Sequence, residues 1–201
     1  MRLLTIDGGS LGYSRVVFLD SFSLKLEGGC LYELRGENGA GKSTLLRALA
    51  GLHPLHSGRR TSSFRRHALV PQASALDPQY PLTVHGFLSM YGSVDLDSVE
   101  RFGLASCLNR MLRECSGGEL QKALIVRALM LRPDFLALDE PSALDSNARS
   151  ALSEVCRGFI AQGACVVICT HDRYTNPRRE TIEIKGGNVR VTSRGGKGKN
   201  A

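Results

Sequence analysis

Apolar positions in the first third of the chain fall in short runs, Leu3–Ile6, Val16–Leu19, Phe22–Leu26 and Leu31–Leu34, set apart by Gly8-Gly9 and Gly28-Gly29. Runs of this length bounded by glycine pairs predict β-strands. At Lys42 the period changes. Leu45, Leu46, Leu49 and Leu52 recur at helical spacing, and Gly51 and Pro54 mark the stop. A charged, hairpin-like stretch follows (Arg59, Arg60, Arg65, Arg66), then a short strand at His67–Val70. Residues 73–114 mix turn signals, Asp77-Pro78 and Tyr80-Pro81, with helical pieces at Val84–Tyr91 and Leu96–Phe102. A helix over 118–131 leads into the apolar run Phe135–Leu138, another helix spans 146–161, and a strand covers 164–169. A hairpin, Thr181–Ile184 and Asn188–Val191, turns at Gly186-Gly187 and precedes a Gly/Lys tail expected to be disordered. Strands alternating with helices after a β-rich start predict an α/β fold with a parallel sheet and an antiparallel β flank.

One segment breaks the pattern. In Leu31–Arg35 the charged Glu33 and Arg35 alternate with apolar residues, whereas a strand covered on both faces reads as nearly continuous apolar. Either one face of that strand is less buried than usual, or these charges have partners elsewhere in the chain.

Composition narrows the class. The chain has 201 residues, with 26 Lys and Arg against 19 Asp and Glu and a formal charge of +7. Four of the positive charges, Arg190, Arg194, Lys197 and Lys199, crowd into the acid-free end, leaving only +3 over the rest. That surplus suits phosphate ligands or an anionic surface and is too weak to mark a nucleic-acid binder. The arginines at 59, 60, 65 and 66 are interleaved only by Phe64, so they read as a solvated face. A hydrophobic content of 42% excludes a disordered chain, and the 22 glycines follow no period-three repeat. No run approaches the ~18 apolar residues of a membrane span, and the start lacks a signal-peptide pattern, so a cytosolic protein is expected. Six cysteines form no C-x-x-C pair. Cys165 and Cys169 share one face of a strand, where buried thiols behave as small hydrophobes.

Three segments carry chemistry. Gly36-Glu37-Asn38-Gly39-Ala40-Gly41-Lys42-Ser43 fits G-x-x-x-x-G-K-[ST] and lies between a predicted strand and a leucine-rich helix. Glycines let successive N–H groups curl inward toward phosphate oxygens, and the helix adds its positive end. Lys42 can reach the outer phosphates and the Ser43 hydroxyl can ligate Mg²⁺, so a nucleoside triphosphate is the predicted ligand. Phe135-Leu136-Ala137-Leu138 ends in Asp139 and Glu140. Asp139 can hold Mg²⁺ through water, and Glu140 can polarise an attacking water. Ser116-Gly117-Gly118-Glu119 opens a helix as a capping box. Two glycines in the first turn cost about 1 kcal/mol each relative to alanine and leave the helix end bare for a phosphate.

Taken together these residues resemble the ATP-binding cassette (ABC) ATPases from about residue 3 to 190. The resemblance implies a P-loop NTPase core of ABC type with a small helical subdomain. It implies one domain over 1–201: a nucleotide-binding core at 1–72 and 115–192, the helical subdomain inserted at 73–114, and the tail at 193–201. It places Tyr13 against adenine and Gln72 in the Q-loop, contacting Mg²⁺ and sensing a membrane partner. Thr44 joins the phosphate loop in binding ATP. Cys115–Gln121 resembles the signature sequence, with Cys115 where the family has leucine. Ser142 and Asp145 match the D-loop, and His171 matches the histidine that contacts the γ-phosphate. ATP and Mg²⁺ are the implied cofactors, with Glu140, His171 and Gln72 in the catalytic set. The family works as head-to-tail dimers, each ATP held between the phosphate loop of one copy and residues Ser116–Glu119 of the other.

The region from Gln72 through Tyr80-Pro81-Leu82-Thr83-Val84 to Met90 is similar to that of ATPases from zinc, manganese and iron importers. That implies a homodimer on the cytoplasmic face of the membrane, peripheral to a multi-span permease, with an extracytoplasmic substrate-binding protein and no nucleic acid. A compact exporter ATPase of the haem or lipid type suits the length equally and the segment after Gln72 less well. A non-transport ABC ATPase acting on ribosomes or DNA usually carries two cassettes or long insertions. A small-molecule kinase leaves Ser116–Glu119 and His171 unexplained.

Overall fold

The computed structural model describes residues 1–14, 16–141, 143–170 and 178–193. Its centre is a six-stranded sheet in the order β5-β6-β7-β3-β8-β9, from His67–Val70, Phe135–Asp139, Cys165–Cys169, Cys30–Gly36, Arg179–Lys185 and Asn188–Ser193. The first five of these run parallel, and β9 closes the edge antiparallel to β8. A second, three-stranded antiparallel sheet has the order β2-β1-β4, from Val16–Glu27, Leu3–Tyr13 and Ser57–Ser62. The helices are α1 (Lys42–Ala50), α2 (Val84–Ser89), α3 (Leu96–Arg101), α4 (Gly117–Met130) and α5 (Ser146–Ala161).

Strand alternation sorts the buried side chains of the parallel sheet into two clusters. Leu31, Leu136, Leu138, Val166 and Ile168 pack with α2, α4 and α5. Cys30, Tyr32, Leu34, Phe135, Ala137, Cys165, Val167 and Cys169 face the other way, onto α1 and the antiparallel sheet. Cys165 and Cys169 do share a face, and all six cysteines are free thiols.

The same alternation accounts for the irregular β3 strand. Glu33 is 1% exposed, yet its Oε2 accepts from Arg35 Nη2 at 2.7 Å and its Oε1 from Arg179 Nη1 at 3.0 Å. The charges therefore have partners, one of them on the neighbouring strand β8, and the strand is buried from Cys30 to Leu34 while Arg35 reaches solvent.

Several boundaries differ from the sequence reading. Strand β1 runs through Gly8, Gly9 and Gly12, with register shifts against β2 between Ile6 and Gly9 and again near Leu11. The glycines there permit bulges rather than ends. Residues 57–66 are not a hairpin: β4 pairs with β1, while the following strand β5 joins the other sheet beside β6. Arg59, Arg65 and Arg66 are exposed as expected. Arg60 instead donates from Nε and Nη2 to the Leu49 carbonyl at 3.0 and 2.7 Å, satisfying the C-terminal end of α1. Helix α2 ends at Ser89, short of Tyr91. Ser142, His171 and the tail at 194–201 lie outside the described residues.

Candidate active site

The parallel strands all deliver their carboxyl ends to one edge of the sheet, where open α/β sheets hold ligands. Strand β3 delivers Gly36 and the phosphate loop, β6 delivers Asp139 and Glu140, and β5 leads into Gln72. Between them lies a cavity of about 590 Å³ lined by Tyr13, Phe18, Asn38, Gly39, the residues from Gly41 to Thr44, Gln72 and Glu140.

The phosphate loop is built by backbone geometry. Gly41 caps α1 with φ 93 and ψ 15 and no side-chain hydrogen bond, so the first N–H groups of the helix open toward the cavity. A Cβ at Gly41 would lie 2.5 Å from Phe18 Cε2 as well as in a left-handed conformation, so both the turn and the ring beneath it require glycine. Lys42 is 8% exposed and donates from Nζ to the Gly36 and Glu37 carbonyls, both at 3.0 Å. The ammonium is thus parked on its own loop, an arrangement that phosphate oxygens can replace with charge-assisted bonds.

Carboxylates occupy the opposite wall. Burial pushes the Asp139 carboxyl above the usual range, Glu140 adds to that, and a hydrogen bond from Ser43 opposes it. Glu140 sits at φ 44, in the left-handed region, with its N–H donating to the Cys169 carbonyl at 2.9 Å and its Oε2 accepting from Gln72 Nε2 at 2.8 Å. A non-glycine residue in this conformation costs about 1–2 kcal/mol and persists only where the surroundings enforce it. Here strand β7 and Gln72 supply that enforcement. Tyr13, 53% exposed, is tied by its hydroxyl to Thr44 Oγ1 at 2.9 Å, and its ring centroid lies 5.8 Å from that of Phe18.

Ser116–Glu119 stands apart from this cavity, at the N-terminus of α4. The capping box is fully formed: Glu119 N donates to Ser116 Oγ at 3.3 Å, and Ser116 N donates to Glu119 Oε2 at 2.7 Å. Nothing lies within 4 Å of the position a Cβ would take at Gly117, whereas at Gly118 it would meet the Ala143 carbonyl at 3.0 Å. One glycine thus keeps the helix end open and the other lets residues 143–145 close in. Asp145 caps α5 through Ala148 N at 2.8 Å and pairs with Lys122 Nζ at 2.5 Å, contacts that hold its carboxyl below the usual range. Cys115 is half-buried against the core, its Sγ 3.5 Å from the Met111 carbonyl.

Within one chain the structure therefore brings together Tyr13, the phosphate loop, Gln72, Asp139 and Glu140, and leaves Ser116–Glu119 and Asp145 on a separate surface. The sequence reading missed Phe18, Arg110 and Lys122. Phe18 carried only an apolar strand signal, and the two basic residues carried none.

These features define an α/β P-loop nucleoside triphosphatase. The family model described as ABC transporter matches residues 19–143. The zinc import ATP-binding protein ZnuC of Photorhabdus laumondii is 35% identical over 85% of this chain and 69% of its own length. The manganese transport system ATP-binding protein MntB of Listeria monocytogenes is 30% identical over 84% of this chain and 80% of its own. Among solved structures, an ATP-binding subunit of an ABC transporter superposes with a TM-score of 0.82 at 26% identity, covering 95% of this chain and 90% of that one. The chain belongs to the ABC transporter family as an ATP-binding cassette, and it is an ATPase.

Proposed function

We propose that this chain is the ATP-hydrolysing subunit of an importer of a divalent metal, zinc or manganese. The observation that carries the cargo is the match over most of the chain to relatives named for zinc import and manganese transport. Among the described residues no helix is long and apolar enough to cross a membrane. The translocation path then belongs to a multi-span permease, with this subunit peripheral on its cytoplasmic side. A substrate-binding protein on the far side would deliver the metal.

The proposed mechanism follows from the charges. The phosphates of ATP lie across the open N-terminus of α1, and Lys42 leaves the carbonyls of Gly36 and Glu37 for the outer phosphates. Tyr13 offers its exposed ring face to adenine. The donors near Lys42 fit Mg²⁺: the Ser43 hydroxyl, the Asp139 carboxylate and the Gln72 amide oxygen are hard oxygen ligands, and Ser43 already hydrogen-bonds Asp139. When bound, the ion neutralises charge building on the β- and γ-phosphate oxygens. Glu140, fixed by Gln72, orients and polarises the attacking water, and His171 contacts the γ-phosphate.

A cavity open to solvent cannot by itself enclose a γ-phosphate. The second copy in a homodimer supplies Ser116–Glu119, the bare α4 N-terminus adding fixed positive dipole, while Ser142 and Asp145 line the contact between copies. ATP closes the dimer and hydrolysis reopens it, moving the permease.

The test is metal uptake by cells lacking this chain. Loss of zinc or manganese accumulation, restored by the wild type and not by Lys42→Ala, supports the assignment. Unchanged accumulation of both metals overturns it.

A further inference from the structure

The signature helix carries an acid where it must meet a polyanion. Glu119 lies in the first turn of α4, and its carboxyl is held below the usual range by the Ser116 N–H and by Arg110. A full negative charge there outweighs the half-charge of the helix dipole. In addition, the Ser116 hydroxyl donates to Glu119 Oε2 at 2.9 Å while accepting from Glu119 N, so its single proton is already committed.

Arg110 resolves both problems. Its Nη1 donates to Glu119 Oε1 at 2.9 Å and its Nη2 to the Glu114 carbonyl, and the Arg110 backbone is anchored through its carbonyl to Val84 N at 3.0 Å. The other charged pair beside this helix, Lys122 with Asp145, is already neutral in sum.

Resting on the reading that Ser116–Glu119 of one copy contacts the ATP of the other, we infer that Arg110 is a positioning residue for that contact. It neutralises Glu119 and keeps its carboxylate turned aside. When the Ser116 hydroxyl swings its proton to a γ-phosphate oxygen, Arg110 remains as the carboxylate's donor. The pair is 42% and 26% exposed at its two side chains, so its contribution to folding is small. Its larger effect belongs to the closed dimer, where a phosphate approaches an otherwise uncompensated charge.

The experiment measures ATP-induced dimerisation of the purified chain by sedimentation, in a Glu140→Gln background that retains ATP. Arg110→Ala is expected to weaken dimerisation by on the order of tenfold per site, with Arg110→Lys recovering part of the loss. ATP affinity of the monomer and the unfolding midpoint stay unchanged. Adding Glu119→Gln removes the charge that Arg110 compensates, so Arg110→Ala then causes no further loss. Dimerisation of Arg110→Ala equal to its parent overturns the proposal, as does a loss that Glu119→Gln leaves intact. Ser116→Arg separates the underlying reading: if it blocks dimerisation while Arg110→Ala does not, only the role of Arg110 falls. If Ser116→Arg dimerises normally, the contact between copies is itself wrong.

Discussion

Replacing Glu33 by glutamine keeps the shape of the side chain and removes its charge from the interior of β3, three residues before Gly36. Two guanidiniums then face a neutral amide. Arg35 is 52% exposed at its side chain and can rehydrate, whereas Arg179 is only 14% exposed. Breaking a buried pair by removing one partner costs about 3–5 kcal/mol, and the accessibility of Arg35 puts the expected loss at the lower end, about 3 kcal/mol. With a urea m-value of about 2–3 kcal/mol/M for a chain of this size, the unfolding midpoint should fall by about 1–1.5 M. The double variant Glu33→Leu with Arg179→Leu should lose less than the two single leucine variants combined, because apolar residues of similar volume replace a buried pair with little net cost. Equilibrium urea unfolding followed by circular dichroism measures all of these. A midpoint for Glu33→Gln within about 0.2 M of the parent would refute the reasoning, since the m-value above makes that less than 1 kcal/mol.

Two further outcomes follow from the geometry. Asp134 is 4% exposed; burial pushes its carboxyl up, but the Arg66 and Arg65 N–H groups and Arg2 outweigh that and hold it below the usual range. A depressed folded value stabilises above the unfolded pKa of about 3.9 and is lost as pH falls through the lower folded value. Asp134→Asn should therefore lower Tm by about 4–8 °C at pH 7 for a loss of about 2 kcal/mol. The gap should shrink in acid, and a constant difference down to pH 2.5 would contradict this ordering of effects. Gly41→Ala must hold φ 93 and push Phe18 aside, so nucleotide affinity should drop at least about tenfold, with part recovered by Phe18→Leu. Titration with a fluorescent ATP analogue decides this, and an unchanged affinity would mean that the loop tolerates a Cβ.

How far the sequence could be read depended on the range of the forces involved. The phosphate loop was legible because its geometry lies in the backbone of consecutive residues, with Gly41 in the left-handed turn that opens α1. The acids at the end of β6 and the capping box at Ser116 were likewise local. Strand partners were not. Nothing in Ser57–Ser62 says that it pairs with β1 rather than with its neighbour, and Gly8 and Gly9 read as breaks although the strand bulges through them. Charges in apolar strands were ambiguous for the same reason: Glu33 needed Arg179, and no single-chain pattern joins residues so far apart. Arg110 and Lys122 were missed because each looks like a surface cation until the fold sets it beside an acid.

ATP turnover of the Glu140→Gln variant tests the central claim most directly. General-base catalysis is worth about 10²–10⁴-fold, so with ATP still bound and the two copies closed around it, turnover should fall by at least about a hundredfold. Hydrolysis at the parental rate, with nucleotide bound equally well, would show that the carboxylate held by Gln72 does not direct the attacking water.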